Sequence, residues 1–229
     1  MAYKYVQLTG NEATSFVERV KQFYKNNDYE FTERGDYDVN IFTLRDAAAA
    51  KANEFDDRLH SIYKVNGEWF VDIYDITSEP GDSYLRKKRV LSVHGAAILQ
   101  PGSWKAYHTR GKHKGYDAVV QWNGFVTVWR DNNADGIPDY ENSGGKTEHG
   151  GFGINIHMHK TLPDSFIENV RVPNKTLGAM SAGCTVFRSN DEFVNSFMKN
   201  IKERNKRYRS SMIAYTLANM ADFAGVEES

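Results

Sequence analysis

Two stretches organise this sequence. They are Gly153-Ile154-Asn155-Ile156-His157-Met158-His159 and, after an irregular segment, Ser181-Ala182-Gly183-Cys184-Thr185-Val186-Phe187. The second holds the only cysteine of the chain, and the first holds two of its seven histidines. Because the thiolate rather than the thiol attacks a carbonyl, a catalytic cysteine needs a nearby base, and histidine is the usual one. A Cys/His site is therefore the first functional hypothesis.

The first stretch has the alternation of a half-buried β-strand. The apolar Ile154, Ile156 and Met158 alternate with the polar Asn155, His157 and His159. Successive side chains of a strand point to opposite faces, so both histidines should share one face. Beside the cysteine, Gly183 has no side chain, which lets backbone amides approach a substrate carbonyl and form an oxyanion hole.

The rest of the sequence predicts an α+β fold that is rich in β-strands. Period-two alternation and β-branched or aromatic residues predict strands at 39–44, 59–65, 68–76, 95–99, 116–122, 125–129 and 212–217. Asn66-Gly67 and Asn123-Gly124 each predict a β-hairpin, because Asn-Gly suits the positive φ angles of a type I′ turn. Apolar residues at helical spacing predict helices over 10–26 and around 193–201. We expect a mixed sheet or sandwich with a few helices and an N-terminal extension of a helix and a β-hairpin.

The domain organisation is simple, because no internal repeat, low-complexity tract or clear linker divides the 229 residues. We assign 1–35 to an N-terminal helical extension, 36–222 to a catalytic domain and 223–229 to a flexible tail.

Composition and charge exclude some classes of partner. The formal net charge is −1, and the basic run 199–209 has Tyr208 as its single aromatic residue, so a nucleic-acid partner is not expected. No apolar run approaches the ~18 residues that a membrane-spanning helix requires. The first residues lack the basic-then-apolar pattern of a signal peptide, which predicts synthesis in the cytoplasm without a leader.

The segment 131–142 carries oxygen ligands at the spacing of a calcium loop. Positions one, three, five, seven and nine are Asp131, Asn133, Asp135, Ile137 and Asp139, where the isoleucine would offer its carbonyl. Gly136 stands at position six, where a sharp turn is needed, whereas position twelve is Asn142 instead of glutamate. We predict a structural calcium ion here and no cofactor for catalysis. The alternative is an acidic turn held by Asx-type hydrogen bonds.

The pattern of a strand ending in Ile-His, a variable segment and Ser-x-Gly-Cys resembles the signature of the L,D-transpeptidase (YkuD-like) family of peptidoglycan enzymes. The resemblance covers roughly residues 90–217, and a phage or bacterial branch of the family is the nearest in pattern. It implies that Cys184 is the acyl-accepting nucleophile and His157 its base, with Ser181 and Gly183 as signature positions. The chain departs from the family at Ala182 and Thr185, and 161–179 looks like an inserted lid or specificity loop.

This resemblance implies a two-step reaction on a peptidoglycan stem peptide. The Cys184 thiolate would form a thioester at a bond between an L-centre and a D-residue, and an amine or water would then take the acyl group. Transpeptidation and hydrolysis both stay open. We add Asn155, His159 and Arg188 as candidate substrate contacts. Without a leader, such an enzyme would reach the cell wall through a virion, a lysis pathway or a secretion apparatus, whose proteins become candidate partners.

Two other functions fit parts of the sequence. A zinc hydrolase could use His157 and His159 together with His149 or Cys184, leaving an open position for water. A calcium-stabilised structural or wall-binding module could carry a vestigial Cys/His site. Its sugar-stacking candidates are Trp104, Tyr107, Trp122 and Trp129.

Overall fold

The structure is a computed structural model that describes residues 5–48, 52, 54–88, 90–140, 146–159 and 181–226. Its strands are β1 (Val6–Thr9), β2 (Asn40–Arg45), β3 (Asp57–Val65), β4 (Glu68–Thr77), β5 (Ala96–Leu99), β6 (Gly102–His113), β7 (Tyr116–Gln121), β8 (Val126–Asp131), β9 (Lys146–Gly150), β10 (Ile156–Met158), β11 (Thr185–Phe187) and β12 (Met212–Asn219). Its helices are α1 (Gly10–Asn26), α2 (Asp82–Leu85), α3 (Asn190–Glu192), the π-helical segment Phe193–Phe197, α4 (Met198–Arg207) and α5 (Met220–Ala224).

The larger sheet closes into a barrel. Its nine strands run β1-β4-β11-β10-β7-β6-β12-β2-β3, and a further pairing of β3 with β4 closes the ring. Strand β1 pairs with β4 at residues 70–73, on the edge that β11 occupies at 76–77, so β1 lies outside the ring. The pairs β10–β11 and β2–β12 are parallel and the others antiparallel. The predicted β-rich α+β class with a mixed sheet is confirmed, and closure is an addition to it.

A second sheet covers one side of the molecule. It has three antiparallel strands in the order β5-β8-β9. This placement overturns one prediction, the hairpin around Asn123-Gly124, because β7 and β8 belong to different sheets. Asn123 has a φ of 55°, but Gly124 is not in the left-handed region and packs against the Ala106 backbone. A type I′ turn needs positive φ at both central residues, so the link changes sheets instead.

The hairpin around Asn66-Gly67 is confirmed. Strands β3 and β4 pair from Asp57 with Ile76 to Val65 with Glu68, and the two turn residues have φ angles of 53° and 84°. The positive φ at both positions is what the sequence predicted for a type I′ turn.

Helix α1 matches its predicted span and packs on the outside of the barrel. Its buried positions recur at helical spacing: Ala13, Val17, Val20, Phe23 and Tyr24. These side chains share a core with outward-facing residues of β2, β3 and β4, including Phe42, Ile62 and Val71. The helix therefore contributes its apolar face to a core of its own, apart from the barrel interior.

The C-terminal predictions also hold. Ser189 caps the helical stretch by accepting a hydrogen bond from the Glu192 N–H at 3.2 Å, and β12 includes the predicted strand. None of the helices in the described ranges has the length and apolar character needed to span a bilayer. The proposed lid at 161–179 and the end of the tail at 227–229 lie outside the described residues, and the domain division stays a prediction.

Candidate active site

The parallel pair β10–β11 brings the two signature stretches together. Ile156 lies opposite Thr185, His157 opposite Val186 and Met158 opposite Phe187. Ile156 and Met158 point into the barrel core, as their alternation predicted. Because strand side chains alternate, the residue two before Val186 lies on the same face as His157. That residue is Cys184.

A turn held by Ser181 presents the cysteine. The Ser181 hydroxyl donates to the Cys184 carbonyl at 2.9 Å and accepts the Gly183 N–H at 3.1 Å, while the Ser181 carbonyl accepts the Gly81 N–H at 2.9 Å. The Gly183 amide is thus already used within the turn and does not face a substrate. Of the two amides expected in an oxyanion hole, the Cys184 N–H has no hydrogen bond to any described residue.

Gly183 is required by close packing as well as by conformation. Its φ is +127°, a region that residues with a Cβ rarely adopt, and a Cβ built there would overlap the Ala97 carbonyl oxygen. Strand β5 of the second sheet therefore rests directly against the residue before the cysteine.

The Cys184 thiol is partly buried and makes backbone contacts. Its Sγ accepts the Asn155 N–H at 3.4 Å and donates to the Gly153 carbonyl at 3.5 Å. Burial raises the pKa of this thiol, and the Asn155 N–H and the positive charge of Lys114 partly offset the increase. The resting form is the neutral thiol, so a base has to remove its proton during attack.

His157 has the hydrogen bonding that a base needs. The ring is buried, and Nδ1 donates to the Met158 carbonyl at 2.6 Å, with the Tyr116 hydroxyl 3.3 Å from the same nitrogen. This hydrogen bond assigns the proton to Nδ1 and leaves a lone pair on Nε2, which has no hydrogen-bond partner in the described part of the chain. Burial, then the neighbouring His113, lowers the pKa of His157 to about 3. The imidazole is therefore neutral and able to accept a proton.

His113 is a site residue that sequence reasoning missed. Its ring stacks on that of His157, with centroids 4.2 Å apart and an angle of 11° between the planes. Its Nδ1 lies 3.0 Å from the Asn155 amide nitrogen, and burial lowers its pKa. No local pattern marks His113, because the contact depends on which strands neighbour β7.

A cavity of about 480 Å³ opens beside the cysteine. Cys184 and His113 both line it, together with Ala97 of β5 and three cationic side chains, Lys87, Lys114 and Arg130. Arg130 is paired with Glu148 at 2.8 Å, whereas neither lysine has a described ion pair. No Asp or Glu is found among the described lining residues, so the cavity favours an anionic ligand.

The three candidate substrate contacts from the sequence occupy different positions relative to this cavity. The Asn155 side chain accepts the Gln121 N–H at 2.9 Å and reaches His113, so it braces the site from behind. His159 is buried, with its N–H on the Asn190 side chain and its ring against Phe55. Arg188 is paired with Asp75 at 2.9 Å. Neither His159 nor Arg188 is among the described residues of the cavity wall.

The metal candidates fall into two places, and neither is the Cys/His site. In the described part of the chain, no trio of His, Cys, Asp or Glu that includes His157 brings its ligand atoms within 4.8 Å of one another. The trio that meets this distance is Asp56, Asp57 and Glu79. Arg45 already sits in that group, with Nε 2.8 Å from Glu79. The predicted calcium residues form a loop after β8.

The buried Arg45 network is the most charged part of the interior. Arg45 and Glu79 are almost fully buried, and the guanidinium also donates to Ser78 and to the Leu99 carbonyl. Burial and the charge of Glu79 raise the pKa of Asp57 well above its ordinary value, and the same causes raise that of Asp56 to about 6. One cation thus balances part of the charge of three acids.

Surface aromatic residues give limited support to a sugar-binding module. Trp122 is 60% exposed, whereas Tyr107 and Trp129 are buried and Trp104 packs against the core. One exposed ring does not form a stacking platform.

The comparisons with known proteins find no relative: no protein-family model matches the chain, and no curated protein matches it. The class that fold and site define is a β-rich α+β protein in which a cysteine and one histidine, His113, line a cavity, with a second histidine, His157, stacked on His113.

Proposed function

We propose that this protein is a cysteine acyltransferase or hydrolase that acts on peptidoglycan stem peptides and is related to the L,D-transpeptidases. The observation that supports the proposal is the pairing of β10 with β11. It sets Cys184, at the wall of a cavity, on the same face as a neutral His157 whose Nε2 is unpartnered. The finer fold assignment, an L,D-transpeptidase-like frame, is part of the same proposal.

The protonation states favour general-base catalysis over a preformed ion pair. The pKa of the thiol is raised and that of the imidazole is lowered, so both groups are neutral at rest. In the first step the Cys184 proton moves to Nε2 of His157 as Sγ bonds to the carbonyl carbon. The tetrahedral intermediate then expels the D-amino acid, which takes the proton from His157 and leaves a thioester.

The acceptor of the acyl group in the second step determines the product. An amine or a water gives its proton to His157 and attacks the thioester, and the thiol is restored. An amine acceptor gives a cross-link or an exchanged peptide, whereas water gives a shortened peptide. The Cys184 N–H, which has no described acceptor, is the candidate donor to the oxyanion in both steps.

The charge of the cavity supports a substrate with a free carboxylate. Lys87 and Lys114 line the wall without a described ion pair, and a stem peptide ends in a carboxylate one residue beyond the scissile bond. A lysine ammonium attracts a carboxylate and holds the peptide without requiring one fixed geometry.

Intact-mass spectrometry of the purified protein with a tetrapeptide stem tests the proposal. We expect a mass increase equal to the mass of the stem peptide minus that of the released D-amino acid, absent in Cys184→Ala and strongly slowed in His157→Gln. His108→Gln, which changes a histidine outside the cavity wall, is the matched control and should acylate normally. If the natural protein forms no adduct with any L,D stem peptide while iodoacetamide still labels Cys184, the acyl-transfer proposal is wrong.

Adding a D-amino acid to the same reaction separates the two outcomes. An exchanged tetrapeptide in the products identifies transpeptidation, and a tripeptide alone identifies hydrolysis.

A further inference from the structure

The loop after β8 contains a buried carboxylate oxygen that no described residue satisfies. Asp131 ends β8 and is 2% exposed. Its Oδ2 accepts the Asp139 N–H across the loop at 3.1 Å, so the carboxylate faces the loop interior, and its Oδ1 has no hydrogen-bond partner among the described residues. An unsatisfied buried charged oxygen is costly, and a bound cation is one of the few ways to satisfy it.

Two further side-chain oxygens of the loop accept backbone N–H groups within the same loop. Asn133 Oδ1 accepts the Asp135 N–H at 3.0 Å, and Asp135 Oδ1 accepts the Ile137 N–H at 2.7 Å. Each of these oxygens keeps a second lone pair for an ion. The left-handed conformations at Ala134 and Gly136, with φ of 68° and 86°, allow the chain to reverse twice within six residues.

The charges around the loop are largely uncompensated. The loop holds three carboxylates, Asp131, Asp135 and Asp139, within nine residues. Arg86 contacts the loop, but it donates to the Asp135 backbone carbonyl at 2.6 Å and pairs with Asp82.

We propose that residues 131–139 bind one calcium ion through the side-chain oxygens of Asp131, Asn133, Asp135 and Asp139 and the carbonyl oxygen of Ile137. All five ligands are oxygens on a short irregular loop, which suits the larger and less demanding Ca²⁺ better than Mg²⁺. This site does not depend on the acyl-transfer proposal.

The ion would stabilise one wall of the cysteine cavity. Asp131 pairs with Ala96 of β5, and a Cβ on Gly95 would overlap the Asp131 carbonyl. Gly95, Ala96 and Ala97 line the cavity, and the Ala97 carbonyl packs on Gly183. Fixing the end of β8 therefore fixes the strand that holds the cysteine turn.

Isothermal titration calorimetry of the full chain with CaCl₂, after removal of divalent ions by a chelator, tests the site. We expect one ion per chain, and affinity for MgCl₂ lower by about ten-fold or more. Asp135→Asn changes an exposed side chain, so it should fold normally and still weaken calcium binding about ten-fold or more. Asp131→Asn should do the same.

The matched control is Asp28→Asn, an exposed residue at a left-handed position that asparagine tolerates. Its calcium affinity should stay within about two-fold of the natural protein. No binding at millimolar calcium, or equal affinity in Asp135→Asn and the natural chain, would overturn the proposal.

Discussion

The imidazole rings of His113 and His157 stack face to face, 4.2 Å between centroids, although the residues are far apart in sequence. Two stacked imidazolium cations would repel each other at this distance, so the arrangement stabilises the neutral rings. The effect appears as a lowered pKa for both histidines, with burial as the larger cause. His113 contacts the ring of His157 and adds to the lowering of its pKa, and we predict that it acts as a positioning residue for His157.

Replacing His113 with phenylalanine should keep the stack and remove the competing charge. We expect the pKa of His157 to rise toward its ordinary value, because the neighbouring imidazole is one of the groups that lower it. NMR titration of the His157 ring protons measures this directly, and His108→Phe serves as the control. An unchanged His157 pKa would show that burial alone sets it.

Lys114 should control the reactivity of the thiol. Its charge lowers the raised pKa of Cys184, so Lys114→Ala should slow alkylation by iodoacetamide at pH 8 by about two-fold or more. Lys112→Ala removes a neighbouring lysine of the same hairpin that does not line the cavity, and it should have little effect. Since Cys184 is the only cysteine, total labelling reports this site alone. Equal slowing in both variants would mean that general surface charge, and not Lys114, is responsible.

Gly183→Ala should be severely destabilising. The new Cβ would meet the Ala97 carbonyl at a φ of +127°, and we expect a loss of about 3 kcal/mol or more in the free energy of unfolding. Gly153→Ala separates the two causes, because Gly153 also has a positive φ but no atom within 4 Å of the added Cβ. It should cost only about 1 kcal/mol. Urea unfolding measures both, and similar values would refute the packing argument.

Arg45→Met should lower the free energy of unfolding by about 3–5 kcal/mol, because it leaves Glu79 and Asp57 as buried charges without a cation. Adding Glu79→Gln to Arg45→Met should recover part of the loss. Additive effects of the two substitutions in urea unfolding would show that the pair is not coupled.

Glu192 should make stability depend on pH. Burial and the charge of Asp75 raise its pKa from 4.5 to about 7. The folded protein therefore holds a proton that the unfolded chain releases. The resulting contribution to the free energy of unfolding is present below about pH 4.5 and is lost as the pH rises to about 7. Glutamine does not ionise, so the Glu192→Gln variant avoids this loss. Its free energy of unfolding should rise by about 1–2 kcal/mol relative to that of the natural chain between pH 5 and pH 8.

Chemical denaturation at the two pH values measures the Glu192 effect. Glu68→Gln, at an exposed turn-flanking position, is the control and should show no such gain. A Glu192→Gln difference that does not change with pH would contradict the linkage.

Local patterns predicted most elements but not their partners. The amphipathic period of α1 and the Asn66-Gly67 turn are set by neighbouring residues, so the sequence contained the necessary information. The predicted hairpin at Asn123-Gly124 is wrong because Gly124 packs closely against Ala106 and does not form a turn. Closure of the barrel depends on pairings such as β2 with β12, which no local pattern encodes.

The candidate site, too, was predictable only where a local pattern determines the structure. Strand parity predicted a shared face for His157 and His159, since parity is a local property, whereas the pairing of β10 with β11 that sets His157 on the face of Cys184 is not local. His113 could not be predicted, because its contact arises from the neighbours of β7 and β10. Arg45, the pair Asp56 and Asp57, and Glu79 come from three separate segments of the chain. No spacing in the sequence therefore indicated that they form one group.

The parallel pairing of β2 with β12 also has a consequence for synthesis on the ribosome. Tyr215 pairs with Ile41, so the ring cannot close until nearly the whole described chain has emerged. Until then, β2 and β6 each present an unpaired edge, which is the kind of surface that drives aggregation. We therefore expect the ring to close late in synthesis, and truncations before β12 should accumulate as insoluble material.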